Sequence, residues 1–510
     1  MTQLARYGVR PARRPRGARR RLTAGAVGLA CLLLVAACDT TEPAAQFHTP
    51  DATATTPAAP FDGWSDPAGV GKPYGSTVTG LFTFRGNLTR TYYGEGPVPR
   101  KAPVEAWRYP RSGAMCGNSS DENGTRVWCG TGFTGEPAIF ERDGRTWVVF
   151  GAYDYSVHFL DANTGEQIIP DFKTGDIIKG GVTIDPDGFP LVYTGSRDNY
   201  FRIISFDQGK PVELWKLSAY SDSPVYWNND WDASALIIDD YLFEGGENSW
   251  FHIVKLNRGY DSKGHVTVKP KVVFTMPGWD SQLKKDFGST QFSIEGGATI
   301  YKNTLYFSNS AGLVQGWDIS GVKQGVAPKR IFRFWTGDDT DASVVVDQDG
   351  YLYVGSQYEK HNARSKQIGQ MMKLDPSKPD DPLVWSQKDQ AASGRSGVWG
   401  TPALYQDIVI YDLTGGDVVG LDRQTGEQRW RFHTPGGETW ESPVVVDGVL
   451  VIGDCTGHLH GYDVSDTHAA PKELWTIKAG GCLESTPAVW HGKIYVGTRA
   501  GAFLALQEPK

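Results

Sequence analysis

Three tryptophans, Trp385, Trp430 and Trp475, recur at intervals of 45 residues. A period of that length marks a repeat array, and a repeat unit cannot bury its own faces, so the units must cover one another. The clearest unit runs Thr401-Pro402-Ala403-Leu404, then Asp407-Ile408-Val409-Ile410-Tyr411, then Gly415-Gly416-Asp417-Val418-Val419-Gly420-Leu421-Asp422, then Thr425-Gly426-Glu427 before Trp430. Its apolar residues alternate or form short blocks bounded by Gly and Asp, the pattern of strands and not of helices. Four strands per unit make one antiparallel blade of a β-propeller. The template recurs from about residues 135, 181, 232, 296, 342, 401, 443 and 487, which predicts an all-β, eight-bladed ring. The last start has only three strands before Lys510, and Ala102-Pro103-Val104-Glu105-Ala106-Trp107-Arg108-Tyr109 has the composition of the missing outer strand. Pairing that N-terminal strand with the C-terminal three closes the ring and hides its edges.

Glycine supplies 61 of 510 residues, in keeping with a tight turn every few residues, and little helix is expected. The first 37 residues carry eight arginines and no acid, and end in the apolar run 24–37, which has the charge and length of a signal peptide. Val35-Ala36-Ala37-Cys38 then resembles the lipobox of bacterial lipoproteins, which implies cleavage before Cys38, lipidation of its thiol and anchoring to the outer leaflet of the cytoplasmic membrane. Export by the general secretory route or, through Arg19-Arg20-Arg21-Leu22, by the twin-arginine route both remain open. Residues 38–76 are rich in Thr, Ala and Pro and read as a disordered tether, leaving 77–510 as the propeller. With the eight signal arginines removed, 43 basic side chains face 58 acidic ones, a net of −15 that excludes the basic face of a nucleic-acid binder. Cys116, Cys129, Cys455 and Cys482 suggest two disulfides in an exported chain. In a propeller the B–C and D–A loops emerge on one face, and Cys455 and Cys482 fall in two such loops around the seventh blade. Cys116 and Cys129 share the connection between the closing strand and the first blade, so each pair is expected to bond within itself.

The hairpins Leu160-Asp161-Ala162-Asn163-Thr164-Gly165-Glu166 and Leu421-Asp422-Arg423-Gln424-Thr425-Gly426-Glu427 resemble the turn element of quinoprotein-like repeats. So do the strand ends Tyr193-Thr194-Gly195-Ser196, Tyr353-Val354-Gly355-Ser356 and Tyr495-Val496-Gly497-Thr498, and the lead-in Phe84-Arg85-Gly86-Asn87-Leu88-Thr89-Arg90-Thr91. The resemblance covers roughly residues 77–507. It implies the fold, but the same repeat serves both dehydrogenases that use pyrroloquinoline quinone and cofactor-free binding propellers, such as the lipoprotein subunit of the outer-membrane barrel-assembly machinery. In the turns, Asp and Thr bond their own backbone, Gly supplies positive φ, and the Trp fills the gap between blades. Asp185-Pro186-Asp187-Gly188 and Asp347-Gln348-Asp349-Gly350 read as turns and not as calcium loops.

Alignment of the blades exposes acids in one register ahead of the innermost strand: Asp232, Glu295, Asp341 and Glu441, with Glu136 and Glu484 one place away. These positions lie where D–A loops meet the channel, so the acids are expected to ring its mouth. Crowded carboxylates raise one another's pKa and call for a cation, a basic partner or a shared proton. Trp231, Trp399 and Trp440 stand beside this register. Aromatic faces next to carboxylates suit sugars, amines or a planar quinone. On the quinoprotein resemblance, Glu295, Asp341 and Glu441 would be calcium ligands, Asp232 a base, and Trp399 or Trp440 a stacking face. Against this stand the lack of an adjacent Cys-Cys pair and of a Cys-x-x-Cys-His haem motif; His458 and His460 form a lone His-x-His in a strand. The reading is an exported, lipid-anchored monomer that binds a protein or a cationic or carbohydrate ligand on its acidic loop face without a cofactor. The alternative is a dehydrogenase of sugars or alcohols dependent on pyrroloquinoline quinone and calcium.

Overall fold

The computed structural model describes residues 61–510 except 76, 122–123, 134 and 391–394, so the signal peptide, Cys38 and the tether to residue 60 lie outside the described residues. The innermost strands begin at residues 138, 183, 236, 299, 345, 403, 444 and 488, close to the starts expected from the repeat. Each leads a four-stranded antiparallel sheet, giving an eight-bladed propeller that is 42% strand and 4% helix. The closing strand is Val104–Tyr109, which pairs with Ala502–Gln507 in the eighth blade as expected. Two short helices, Ser281–Phe287 and Ala363–Ile368, interrupt loops on the channel-mouth face.

The core lies between blades, because every sheet is apolar on both faces. Phe140, Trp147 and Phe159 of the first blade pack on Ile184, Val192 and Phe206 of the second. At the closure, the Phe503 ring of the eighth blade stacks on Phe150 of the first with centroids 3.9 Å apart. The repeated tryptophan acts as a peg. Trp107 lies on Gly165 and donates its indole N–H to Ala162 O at 3.0 Å, and Trp385 lies on Gly426 and donates to Arg423 O at 3.2 Å. Both glycines have positive φ, 69° and 75°, and a Cβ on either would meet the indole at 2.6–2.7 Å, so the turn and the peg require the same residue. In these turns Asp161 and Asp422 each accept two backbone N–H bonds. The two Asp-rich hairpins are turns too, and their buried acids hold the next blade: Asp185 pairs with Arg258 at 2.7 Å and Asp347 with Arg423 at 2.9 Å. Disulfides join Cys116 to Cys129 and Cys455 to Cys482, the expected pairs.

The channel itself was not anticipated. Residues 77–95 lie inside the ring and bond to the inner strands of blade after blade. Gly80–Leu81 adds a fifth strand to the first blade and Gly94–Glu95 a parallel one to the eighth. Between them Ile184 N–H donates to Phe82 O, Ile300 N–H to Leu88 O and Val346 N–H to Thr89 O, while the Tyr93 hydroxyl accepts from Leu404 N–H. Two fully buried arginines bridge what the strands leave unpaired. Arg90 donates to Ala298 O at 2.9 Å, Ser234 O at 2.7 Å and Phe84 O at 2.6 Å; Arg85 donates to Thr401 O. The segment is thus a plug that fills the channel below its mouth.

The tether is also shorter than expected. Trp64 and Tyr74 are buried, Ser65 forms a β-bridge with Lys302, and the Trp64 indole donates to Ile319 O at 2.8 Å, so residues 61–75 belong to the folded body. Two large aromatics in a Pro-rich stretch supply enough apolar area to dock it.

Candidate functional site

Above the plug, the D–A and B–C loops surround a funnel with two adjoining chambers of about 540 and 160 Å³. Trp227, Glu295, Arg395 and Trp399 line both. The larger chamber lies over blades two and three, and the smaller over blades four and five. Their walls are held by packing on the loops: Trp399 stacks on Trp440 with centroids 5.1 Å apart and meets Phe133 edge-on, while Trp227, 43% exposed, takes φ of 79°. The Trp399 indole N–H has no acceptor among the described residues.

Under the larger chamber sits an ion-pair network. Asp230, Asp232 and Glu247 bring carboxylate oxygens within 4.8 Å of one another, and among the described residues they are the one group of three acids so placed. The chain supplies its own cation there. The Lys179 ammonium contacts Asp232 and reaches Glu247 at 3.1 Å and Asp230 at 3.4 Å, and Arg197 joins Asp230 at 2.9 Å. Three acids against two bases leave one surplus carboxyl. Burial, with Asp230 next to it, raises Asp232 well above the usual carboxylate range. Against the desolvation of its burial, Asp232, Glu247 and Asp230 hold Lys179 charged.

The smaller chamber is built differently. Ser310 Oγ lies 3.2 Å from a carboxyl oxygen of Glu295 and 3.2 Å from one of Asp341, its single O–H serving one of them, and Gln357 Nε2 donates to Asp341 at 2.8 Å. Asp339 lines the same wall. At the rim Glu359 holds Lys360 at 3.1 Å and Arg395 at 3.2 Å. Glu295 is pushed up to about 8 by burial and by Asp341, Asp339 to about 8 by burial and by Glu295, and Asp341 well above the normal range by burial and by Asp339.

The structure therefore divides the residues picked from the repeat. Glu295, Asp341 and Trp399 share the smaller chamber, with Trp440 behind Trp399. Asp232 sits beneath the larger chamber against Lys179. The other two are corrections. Trp231 is fully buried against Gly195, Phe201 and His252, a wedge between blades, because the glycine leaves room for its ring. Glu441 is fully buried below the mouth, close enough to Gly453 that a Cβ there would meet its Oε2, and Asp412 and Arg85 influence its charge. Its neighbour in register, Glu136, accepts Arg85 N–H at 2.7 Å and serves the plug. Glu484 pairs with Arg499 at 3.0 Å. Lys179, Arg197 and Ser310 were missed. They lie in the same D–A and B–C loop positions as the acids, and an alignment of all residue types in those loops would have found them.

These positions do not assemble the calcium and quinone set that the family resemblance implied. Glu295, Asp341 and Glu441 do not converge, the candidate base Asp232 is held by an ammonium, one face of Trp399 is covered by Trp440, and both disulfides join residues at least 13 positions apart.

Residues 414–509 match the family described as outer membrane protein assembly factor BamB. No curated protein matches the chain in sequence. Among solved structures, BamB from Moraxella catarrhalis is 18% identical with a TM-score of 0.49 over 72% of this chain and 93% of that one. Quinohemoprotein alcohol dehydrogenase from Comamonas testosteroni is 12% identical with a TM-score of 0.53 over 84% and 82%. The computationally designed Ika8 protein is 12% identical with a TM-score of 0.50 over 74% and 98%. The chain is thus an eight-bladed propeller that carries a BamB-like repeat over residues 414–509, and its likeness to the alcohol dehydrogenase and to the designed protein shows the fold alone.

Proposed function

We propose that the chain is exported, anchored to the membrane through a lipid on Cys38, and works at the cell envelope as a binding or scaffolding module whose recognition surface is the channel-mouth funnel. The observation that carries this reading is the polar, aromatic-walled funnel above the plug, with adjoining chambers of about 540 and 160 Å³, formed by loops on the rigid frame of the ring. Loops on such a frame vary without cost to the core and so specialise in recognition. The lipobox at Cys38, the net charge of −15 and the BamB-like repeat over 414–509 support the envelope assignment. The runner-up, a quinone-dependent dehydrogenase, rests on the fold alone.

The test places a photoreactive amino acid at Trp227 in the full chain, expressed in its own cells. The proposal expects a membrane-fractionated protein whose mature N-terminus is diacylated Cys38 by mass spectrometry, and a discrete crosslinked adduct at position 227. A cytoplasmic chain that retains residues 1–37, or an envelope-bound chain that gives no adduct from position 227, would refute it.

A further inference from the structure

We propose that His158 is a pH-sensitive latch of the first blade: its imidazolium, clamped between Asp154 and Asp171, ties the outer strand to the sheet, and loss of its charge releases that strand and the connection that follows it. The inference concerns the frame of the funnel and stands independently of what the funnel binds.

The outer strand of the first blade is short. It pairs with the third strand, Ser156–Asp161, over Phe172–Lys173, whereas the outer strand of the second blade runs over seven residues, Val212–Ser218. Few ladder bonds hold it, so a side-chain tie at this place governs how readily it opens.

The tie is His158, whose side chain is 1% exposed. Its Nε2 lies 3.1 Å from Asp154 Oδ1, in the loop before the third strand. Its Nδ1 lies 3.1 Å from Asp171 Oδ1, just ahead of the outer strand, at ion-pair distance but off the line of a hydrogen bond. A neutral imidazole has one N–H and would turn its other nitrogen, a lone pair, towards a carboxylate; the imidazolium presents a proton to both acids. Phe150 and Tyr109 close the remaining sides with ring centroids 5.0 and 4.9 Å away, and Lys173 stands 3.8 Å from Asp154. Tyr109 is neutral, its hydroxyl pushed up to about 12 by burial and the two acids. The charges around the ring are thus two carboxylates and one ammonium, which balance while the imidazole is protonated.

The second blade builds the same clamp from a group that does not titrate. Arg202 takes the place of His158 on the third strand, Tyr200–Ser205, four residues after Asp198 as His158 is four after Asp154. It pairs with Asp198 at 2.5 Å and with Glu213 of the outer strand at 2.9 Å, and its charge persists at any pH the fold survives. His252 and His460 hold the position in blades three and seven, where each meets one carboxylate, Asp222 at 3.0 Å and Asp454 at 2.9 Å.

Against the desolvation of its burial, Asp154 and Asp171 hold the His158 imidazole above its ordinary range. Its contribution is full below the unfolded value of about 6.5 and is lost as pH rises through the higher folded value. Asp154 acts at the other end: against its own burial, His158 and Lys173 hold it below the carboxylate range, so its contribution is lost as pH falls through that depressed value. The latch is closed in mildly acidic solution and opens as the pH turns alkaline. Its release reaches the funnel, because the chain runs from Lys173 directly to Lys179 on the wall of the larger chamber.

The experiment is hydrogen exchange by mass spectrometry on the full chain in detergent, in steps from pH 6 to pH 9, with each rate divided by the intrinsic rate at that pH. Exchange of residues 166–179 should rise about tenfold or more across the range, while that of Val212–Ser218, held by Arg202, changes by less than about threefold. His158→Gln should exchange rapidly at every pH. Asp171→Asn keeps the imidazole but removes one carboxylate, so its transition should move to lower pH; this variant decides the matter if His158→Gln does not fold. In NMR spectra of histidine-labelled chain, the His158 ring proton should titrate above about 6.5 in the parent and at a lower pH in Asp171→Asn. No rise in the parent, an equal rise in Val212–Ser218, or a transition at the parent's pH in Asp171→Asn would overturn the proposal.

Discussion

Replacing Arg90 by methionine tests whether the plug holds the ring together. The guanidinium donates to three carbonyls, Ala298 O, Ser234 O and Phe84 O, and to Thr83 Oγ1 at 3.2 Å. Ala298 and Ser234 belong to blades four and three, while Phe84 and Thr83 belong to the plug. Methionine fills similar volume but strands three buried acceptors, at about 1–3 kcal/mol each. Part of that is offset, because burial opposes the arginine's charge and lowers its pKa to about 10. A net loss of about 4 kcal/mol follows. For a folded unit spanning residues 60–510, the entropy of unfolding near 60 °C is roughly 0.9 kcal/mol/K, so Tm should fall by about 4 °C. Scanning calorimetry of Arg90→Met and of Arg100→Met provides the contrast, since Arg100 makes an exposed pair with Asp463 that contributes at most about 1 kcal/mol. A drop below 1 °C for Arg90→Met, or equal drops for the two variants, would refute the plug as a structural tie.

Deleting residues 501–510 removes Ala502–Gln507, which carries the pairing with Val104–Tyr109, and should replace sharp unfolding by a broad transition at lower temperature; a melt as sharp as the parent's would refute closure by that strand. Opening Cys455–Cys482 with a double serine substitution frees a 27-residue loop worth about 3.5 kcal/mol in chain entropy, so Tm should fall by roughly 3–4 °C in calorimetry. Glu295 and Asp339 have folded pKa values raised to about 8 from ordinary carboxyl values, so the folded state binds more protons than the unfolded one between those limits. Their contribution is full below the unfolded pKa and is lost as pH rises through about 8. Tm should therefore decline from pH 5 to pH 8, and Glu295→Gln with Asp339→Asn should flatten that decline.

The ring was legible because it is periodic. The Trp spacing, the Asp-x-x-Thr-Gly turns and the small residues before each inner strand repeat, so the eight starts, the closing strand and both disulfide pairs could be placed from one template. The plug is a single copy and has no period to reveal it. Its signal was Arg85 and Arg90 beside Leu81, Phe82 and Phe84, two charges in a stretch apolar enough to be buried. Trp64 and Tyr74 gave a similar hint within the Pro-rich lead-in. At the mouth the acids were visible because they share a register. Which of them face the cavity depends on their neighbours: glycines at 195 and 453 admit Trp231 and Glu441 into the body of the ring, while Lys179 claims Asp232. A spacing argument finds the register but not the side chain that reaches into it.

The central claim is that the funnel is a recognition site and not a quinone site. Its most direct test is the melting temperature of the full chain with and without pyrroloquinoline quinone and calcium. A ligand that binds only the native state stabilises it by about 2.7 kcal/mol at a hundredfold excess over Kd, which is roughly 3 °C for a body of this size. The account predicts no change. A rise of that size that disappears in Glu295→Gln and Asp341→Asn would contradict it and make the chain a dehydrogenase.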